Sequence, residues 1–438
     1  MMQRRQLLGM AAATAALAVG SGAAPGKPNL PARHVPKGFL WGTAGAAYQV
    51  EGGNIASDLW VLEHVKPTLF KEPSGDADDT YHRYEEDIAL AASLGFNCHR
   101  FSIEWARIEP ERGEISLAAI DYYRRVLECC HRHKLAPFVN FTHFTFPRWF
   151  AASGGFHNRD NIAPFVAYCT LLGERLGGLM TFAATYNEPN ITSTLKWSGA
   201  GDKMRAVVDA CQKAAAAAVG SDTWSSPLLD GSPQQTGIMI EAHKQGGDAF
   251  RKATGGRVPL GLTLAVQADW PEGPDSAFER KMDDVLQPWL GEAGDFIGVQ
   301  TYSGSAVGPM GNIEAPAGVE RTQVGWVYMP EALERAIRII AARSKLPIYV
   351  TENGVAEPDD KDDRRIAYIR GAVSGMQRCI ADGIDVRSYI HWALIDNWEW
   401  TSGFGPKFGL VSVDRQTFKR TPKPSAHFLG KIARAGGI

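Results

Sequence analysis

The chain is short of cysteine, of charge imbalance and of long apolar runs. Six cysteines in 438 residues (Cys98, Cys129, Cys130, Cys169, Cys211 and Cys379) are too sparse for a disulfide scaffold, and their spacings match no paired CxxC zinc pattern. Lys and Arg number 46 against 48 Asp and Glu, and no basic block offers a footprint for a phosphate backbone or anionic lipid. Nucleic acid is therefore not an expected partner. No GxGxxG opens a helix after a β-prone run, which argues against a doubly wound dinucleotide-binding sheet. What is present is 45% hydrophobic and 21% charged, a composition able to bury a large core.

The extended apolar stretch lies at the N-terminus. Arg4-Arg5 precede an Ala-rich run from Leu7 to Val19, and Ser21-Gly22-Ala23-Ala24 follow it, so residues 1–24 read as an export signal cut near Ala23. The run is too short to span a bilayer comfortably, and no stable membrane insertion is expected once it is removed. The arginine pair resembles a twin-arginine signal, with Gln3 and Leu7 where Ser or Thr and Phe are usual. Such signals carry folded proteins, which suits a chain that needs no disulfides and implies a periplasmic or secreted destination. Residues 25–36, rich in Pro, form a linker to a domain spanning 37–438.

Within that domain short β-prone runs alternate with amphipathic segments. The runs are Phe39–Ala44, Phe96–Ile103, Ala136–Phe141, Thr181–Tyr186, Pro259–Val266, Phe296–Tyr302, Ile348–Thr351 and Val386–Trp392. Between them Tyr81, Tyr84, Ile88 and Ala91, then Ile120, Tyr123, Leu127 and Cys130, recur at helical spacing, as do Leu333, Ile337 and Ile340, and Ile369, Val373, Met376 and Ile380. Further helices are predicted over 161–176, from an Ala-rich stretch ending at Val219, and from Ile238 to Lys252 after a loop around 225–235. Eight βα units without a composition break predict an α/β fold, a single (β/α)8 TIM barrel.

Barrels of this kind carry chemistry at the C-terminal ends of their strands. Here those ends hold Arg100 and Glu104, His143, Asn187-Glu188, Tyr302, Glu352-Asn353 and Trp392. Pro189 biases Glu188 toward extended geometry, which would continue the strand and aim its side chain along it. Two carboxylates facing one mouth suit glycoside hydrolysis, in which an acid protonates the leaving oxygen and a carboxylate attacks or stabilises an oxocarbenium-like centre. Trp41, Trp392, Trp398 and Trp400 could stack on a pyranose, while Gln49, His143, Asn187 and Glu399 could bond its hydroxyls. No metal and no cofactor are called for. Cys129-Cys130-His131-Arg132-His133 ends a helix, where residues two apart diverge, and Asp359 to Arg365 reads as a solvated loop entering a helix.

Four ordered motifs make the resemblance specific. Phe39-Leu40-Trp41-Gly42 through Ala47-Tyr48-Gln49-Val50-Glu51-Gly52, then Thr185-Tyr186-Asn187-Glu188-Pro189, then Val350-Thr351-Glu352-Asn353-Gly354, and finally Trp392 to Trp400, resemble glycoside hydrolase family 1, the β-glucosidase-like retaining enzymes. The resemblance implies Glu188 as acid/base, Glu352 as nucleophile, Asn187 as partner of the sugar 2-hydroxyl, and Arg100 and Tyr302 as the groups that hold and ionise Glu352. It implies Gln49, His143, Trp392, Glu399 and Trp400 as ligands of the sugar, and a β-glycoside or oligosaccharide as substrate.

Departures are informative too. Phe144-Thr145-Phe146-Pro147 follows His143 where the family usually has Trp-Asp/Glu-Leu-Pro, and Gln300-Thr301-Tyr302 stands for the commoner Asn-Tyr-Tyr. Residues 191–256 resemble the family least. The resemblance implies a neutral glycone, because Glu399 stands where the phospho-glycosidase branch tends to carry a smaller residue, and O-glycosides over thioglucosides, because Glu188 is Glu and not Gln. The leading expectation is a retaining exo-β-glycosidase acting on terminal β-linked glucose or a related sugar. A transglycosidase of the same chemistry and a non-catalytic sugar-binding barrel are the alternatives.

Overall fold

Strands this apolar can be buried on both faces only if helices cover the outside, and closing the sheet on itself removes its edges. The computed structural model, which describes residues 35–438, has that arrangement. The expected export signal and nearly all of the linker lie outside the described residues. Eight parallel strands close the barrel: β1 (Leu40–Ala44), β2 (Cys98–Ser102), β3 (Ala136–Thr142), β4 (Phe182–Asn187), β5 (Leu260–Ala265), β6 (Ile297–Thr301), β7 (Ile348–Asn353) and β8 (Val386–Trp392). β1 completes the ring by pairing with both β8 and β2, Ala44 lying opposite Trp392 on one side and Arg100 on the other.

The predicted helices follow the strands. They are α1 (Thr80–Leu94), α2 (Leu117–Arg132), α3 (Ile162–Arg175), α4 (Ala200–Ala218), α5 (Pro233–Thr254), α6 (Ala332–Ala341) and α7 (Asp362–Ala381). Each periodic stripe is buried: Ile88 and Ala91 of α1, Ile120, Tyr123 and Leu127 of α2, and Ile369, Val373 and Met376 of α7 join the layer between helices and barrel. Cys129 and Cys130 lie in that same layer, and the ring of His131 bonds the Leu179 carbonyl at 2.8 Å. Among the described residues no helix is long and apolar enough to cross a membrane.

Two local expectations are corrected. Helix α5 begins at Pro233, inside the expected loop, because Ser232 Oγ accepts from the Gln235 N–H at 3.1 Å and Pro233 supplies a preset first turn. The charge run is only half solvated. Asp359 and Asp360 are exposed, but Arg365 is fully buried against Asp362 and donates to the carbonyls of Glu357 and Lys407 at 2.6 and 2.7 Å. It ties the loop after β7 to the segment that follows β8.

Inside the barrel the lower end is filled by Phe138, Phe182, Phe296 and Tyr349, whose ring centroids lie 5.0 to 6.3 Å apart. Polar side chains sit above this apolar layer, toward the C-terminal ends of the strands.

Candidate active site

The ladder is irregular where the two carboxylates emerge. Pairing of β4 with β5 slips between Ala184 and Asn187, and pairing of β7 with β6 slips between Val350 and Glu352. Such irregularities re-aim side chains at strand ends. The chain beyond Glu352 is tightly held: a Cβ on Gly354 would come within 2.1 Å of the Trp392 carbonyl oxygen, so only glycine fits.

Glu352 is 4% exposed and lies in a cradle of donors. Arg100 Nη1 donates to its Oε1 at 2.5 Å, Gln300 Nε2 to the same oxygen at 2.9 Å, and the Tyr302 hydroxyl to Oε2 at 2.5 Å. Burial raises the proton affinity of Glu352, and the Arg100 charge and the Tyr302 phenol oppose it. Tyr302 itself is held firmly as a phenol by burial and by the Glu352 charge. Its ring is flanked by Phe408 and by the half-exposed Trp326, each 5.7 Å away.

Glu188 does not continue the strand as its proline neighbour suggested. β4 ends at Asn187, and Glu188 has φ +42°, in the left-handed region. The reason is β5. The Glu188 N–H donates to the Thr263 carbonyl at 2.8 Å, and the Asn190 side chain brackets Ala265, donating to its carbonyl at 2.8 Å and accepting from its N–H at 2.9 Å. These bonds outweigh a backbone cost of about 1–3 kcal/mol for a non-glycine residue held there. Burial first, then the nearby Glu352 charge, push the Glu188 carboxyl well above the usual range, with only the Arg100 charge opposing. Of two carboxyls sharing one cleft, Glu188 is therefore the one that keeps its proton.

The remaining site residues gather beside this pair. His143 lies between the rings of Trp392 (5.5 Å) and Trp400 (5.9 Å), nearly parallel to both, and burial together with the Arg100 charge keeps its imidazole neutral. Trp392 Nε1 donates to Glu399 Oε1 at 3.3 Å, and burial pushes the Glu399 carboxyl up to about 8. Gln49 Nε2 donates to Asn397 Oδ1 at 2.9 Å and to the Trp398 carbonyl at 2.8 Å. Among the described residues Gln49 Oε1 and Asn187 Nδ2 are buried without a partner. An acceptor and a donor are thus left for the hydroxyls of a bound molecule.

Three expected residues stand elsewhere. Trp41 packs against Phe39 and Tyr389 in the layer outside the barrel, and Trp398, fully buried, stacks on Phe70 at 5.5 Å and donates to the Glu72 carbonyl, so neither offers a platform. Glu104 accepts from Thr145 Oγ1 at 2.8 Å and feels the charges of Glu51 and Asp58, in a buried network beside α2. Phe144, where the family usually has an indole, has φ +68° and meets the Trp400 ring edge-on at 5.3 Å. Gln300, in the sequence only a departure from the family pattern, touches both Glu352 and Asn187. Gln300 lies two residues before Tyr302, and the strand period places both on one face.

Known proteins resemble this chain along most of its length. The family model for glycosyl hydrolase family 1 matches residues 32–218 and 298–438. The 1,4-β-D-glucan glucohydrolase of Thermotoga neapolitana is 29% identical over 92% of this chain and 99% of its own length, and β-glucosidase A of Thermotoga maritima is 29% identical over 92% and 98%. An aryl-phospho-β-D-glucosidase of Bacillus subtilis is 27% identical over 92% and 98%. Among solved structures, the apo structure of β-glucosidase 1317 superposes with a TM-score of 0.90 at 56% identity, covering 92% of this chain and 99% of that one. With the match running through both carboxylate motifs and on past the last barrel strand to residue 438, the chain belongs to glycosyl hydrolase family 1, a family of O-glycoside hydrolases.

Proposed function

We propose that the protein is a retaining exo-β-glycosidase that hydrolyses terminal β-linked glucose or a related neutral sugar, with Glu352 as nucleophile and Glu188 as acid/base. The observation that carries the reading is the unequal treatment of two neighbouring carboxyls: Arg100 and Tyr302 bond Glu352 directly, while burial and then the charge of Glu352 raise the proton affinity of Glu188. In the first step Glu188 gives its proton to the departing glycosidic oxygen as the Glu352 carboxylate bonds to the anomeric carbon. The ester so formed carries no charge, so of the two causes that held the proton on Glu188 burial remains and the repulsion from Glu352 is removed, which lowers its proton affinity. Glu188 can then take a proton from water attacking the same carbon, as the bond from that carbon to Glu352 breaks and the Glu352 carboxylate is released with the free sugar. The Trp392 and Trp400 rings supply apolar faces for the sugar, and Gln49, His143, Asn187 and Glu399 supply hydroxyl partners.

Several relatives carry β-glucosidase names and one an aryl-phospho name. The buried Glu399 carboxyl, with the Glu352 and Asp396 charges raising its proton affinity, favours a neutral glycone, because a phosphate there would add charge to an acidic surround. The test is hydrolysis of nitrophenyl β-glucoside, β-galactoside and β-fucoside, with proton NMR following the anomer first released. The β-anomer is expected, and release of the α-anomer would overturn the assignment.

The reading includes export. The Arg4-Arg5 pair, the run from Leu7 to Val19 and the small residues around Ala23 support a cleaved signal, and the six cysteines are all free and buried, so folding asks for no oxidising compartment. N-terminal sequencing of the processed protein from periplasm or medium tests this.

A further inference from the structure

Glu352 on β7 and Gln300 on β6 lie directly opposite one another, brought there by the register slip after Val350. Gln300 Nε2 donates to Glu352 Oε1 and to Asn187 Oδ1, both at 2.9 Å. Arg100 makes the same pair of contacts from β2, on the opposite wall of the barrel, with Nη1 on Glu352 Oε1 and Nη2 on Asn187 Oδ1, both at 2.5 Å. Four side chains thus form a closed ring in which the same two donors hold both acceptors, with longer contacts to Asn187 Oδ1 from Thr263 Oγ1 at 3.4 Å and Asn140 Nδ2 at 3.5 Å. Gln300 and Arg100 are each 1% exposed, so water does not compete for these bonds. The orientation of the Gln300 amide is dictated, because turning it over would set its oxygen against a carboxylate and a carbonyl.

The ring leaves one atom free on each acceptor residue. Oε1 of Glu352 is saturated, whereas Oε2 has the Tyr302 hydroxyl alone and is the oxygen able to reach a carbon. Asn187 has its Oδ1 held from two walls, which fixes which end of the amide faces the ring, and its partnerless buried Nδ2 is left as a donor. A donor at that place suits the hydroxyl on the carbon next to the reacting one. We propose that Gln300 is a positioning residue that couples the aim of Glu352 to recognition of that neighbouring hydroxyl through Asn187. The proposal rests on the reading of Glu352 as nucleophile.

The experiment compares an aryl β-glucoside with its 2-deoxy counterpart in the wild type, in Gln300→Met, which keeps the volume without the donor, and in Gln300→Asn, which keeps a donor. Gln300→Met is expected to lower kcat/KM on the 2-hydroxy substrate by about 10- to 100-fold, the size of effect a lost bond to a charged group has. The 2-deoxy substrate should lose much less, so the preference for a 2-hydroxyl shrinks. The acidic limb of the kcat/KM profile should move to higher pH, because removing an N–H donor from a carboxylate raises its pKa. Gln300→Asn should recover most of the preference. A Met variant with unaltered melting that keeps both the wild-type preference and the wild-type limb overturns the proposal, as does an Asn variant as impaired as Met. If Gln300→Met does not fold, Gln300→Leu takes its place under the same criteria. A wild type inactive on every β-glycoside would overturn the underlying functional reading instead.

Discussion

Trp392 gives its indole N–H to the Glu399 carboxylate in a site where burial lifts that carboxyl to about 8. Near neutral pH Glu399 is thus mainly a neutral acid, able to donate as well as accept toward adjacent hydroxyls. Glu399→Ala should lower kcat/KM on neutral β-glycosides by roughly 10²- to 10³-fold. Glu399→Gln, which also donates and accepts, should cost clearly less at pH 6. Steady-state kinetics on aryl glucosides decide it. Equal losses would show that the carboxyl itself is required, and unchanged kinetics in both would remove Glu399 from the pocket.

Glu352→Gly should abolish turnover, and azide or formate should restore reaction with an activated aryl β-glycoside. The small anion would fill the space beside Arg100 and Tyr302, and the azide product should be the α-glycosyl azide, inverted relative to substrate. Proton NMR of the product checks the stereochemistry.

Glu188→Ala should separate substrates by leaving group. A dinitrophenol departs without a proton, whereas an alkyl alcohol needs one, so only the activated glycoside should still load the enzyme. Deglycosylation lacks its base in this variant, and a burst of released phenol should appear. Azide needs no base and should yield the β-glycosyl azide. Equal slowing of alkyl and dinitrophenyl substrates, without burst or azide product, would make Glu188 a binding residue.

Buried carboxyls also set the response of the fold to pH. Glu104 and Glu399 are pushed up to about 8 and Asp58 to about 6, chiefly by burial. Their unfolded values are about 4. The folded state therefore holds more protons than the unfolded one between those limits. The stabilisation is fully present below about pH 4 and is lost as pH rises through the folded values. Glu104→Gln should flatten the loss of stability between pH 5.5 and 8.5, by at most about 1.4 kcal/mol per pH unit for the single group. Urea unfolding of variant and wild type at the two pH values measures it, and parallel slopes would show that Glu104 ionises freely.

Strand positions and both carboxylates were legible because the barrel states its period locally, with apolar runs of strand length ending in a polar residue. The same rule also picks Glu104, which lies in a separate buried network, so Glu188 and Glu352 needed the motifs around them as well. The conformation of Glu188 was not legible, since the bonds that turn it come from Thr263 and Ala265, far along the chain. Trp41 and Trp398 show the same limit from the other side. An aromatic ring near a motif is read as a platform until its neighbours are known, and here Phe39, Tyr389, Phe70 and Tyr48 cover those rings. Arg365 reads as solvated in a charge run, and its burial depends on carbonyls at Glu357 and Lys407 that converge only in the closed fold.

The aromatic layer of Phe138, Phe182, Phe296 and Tyr349 makes the barrel a blind tube. A molecule that enters by the open end has no back door. On the proposed chemistry the alcohol, lying nearer the opening, must clear out before the sugar can, so the order of departure follows from plumbing as much as from bond-breaking. Free sugar would then act as the stopper of the same vessel, blocking the next substrate by occupying the innermost place.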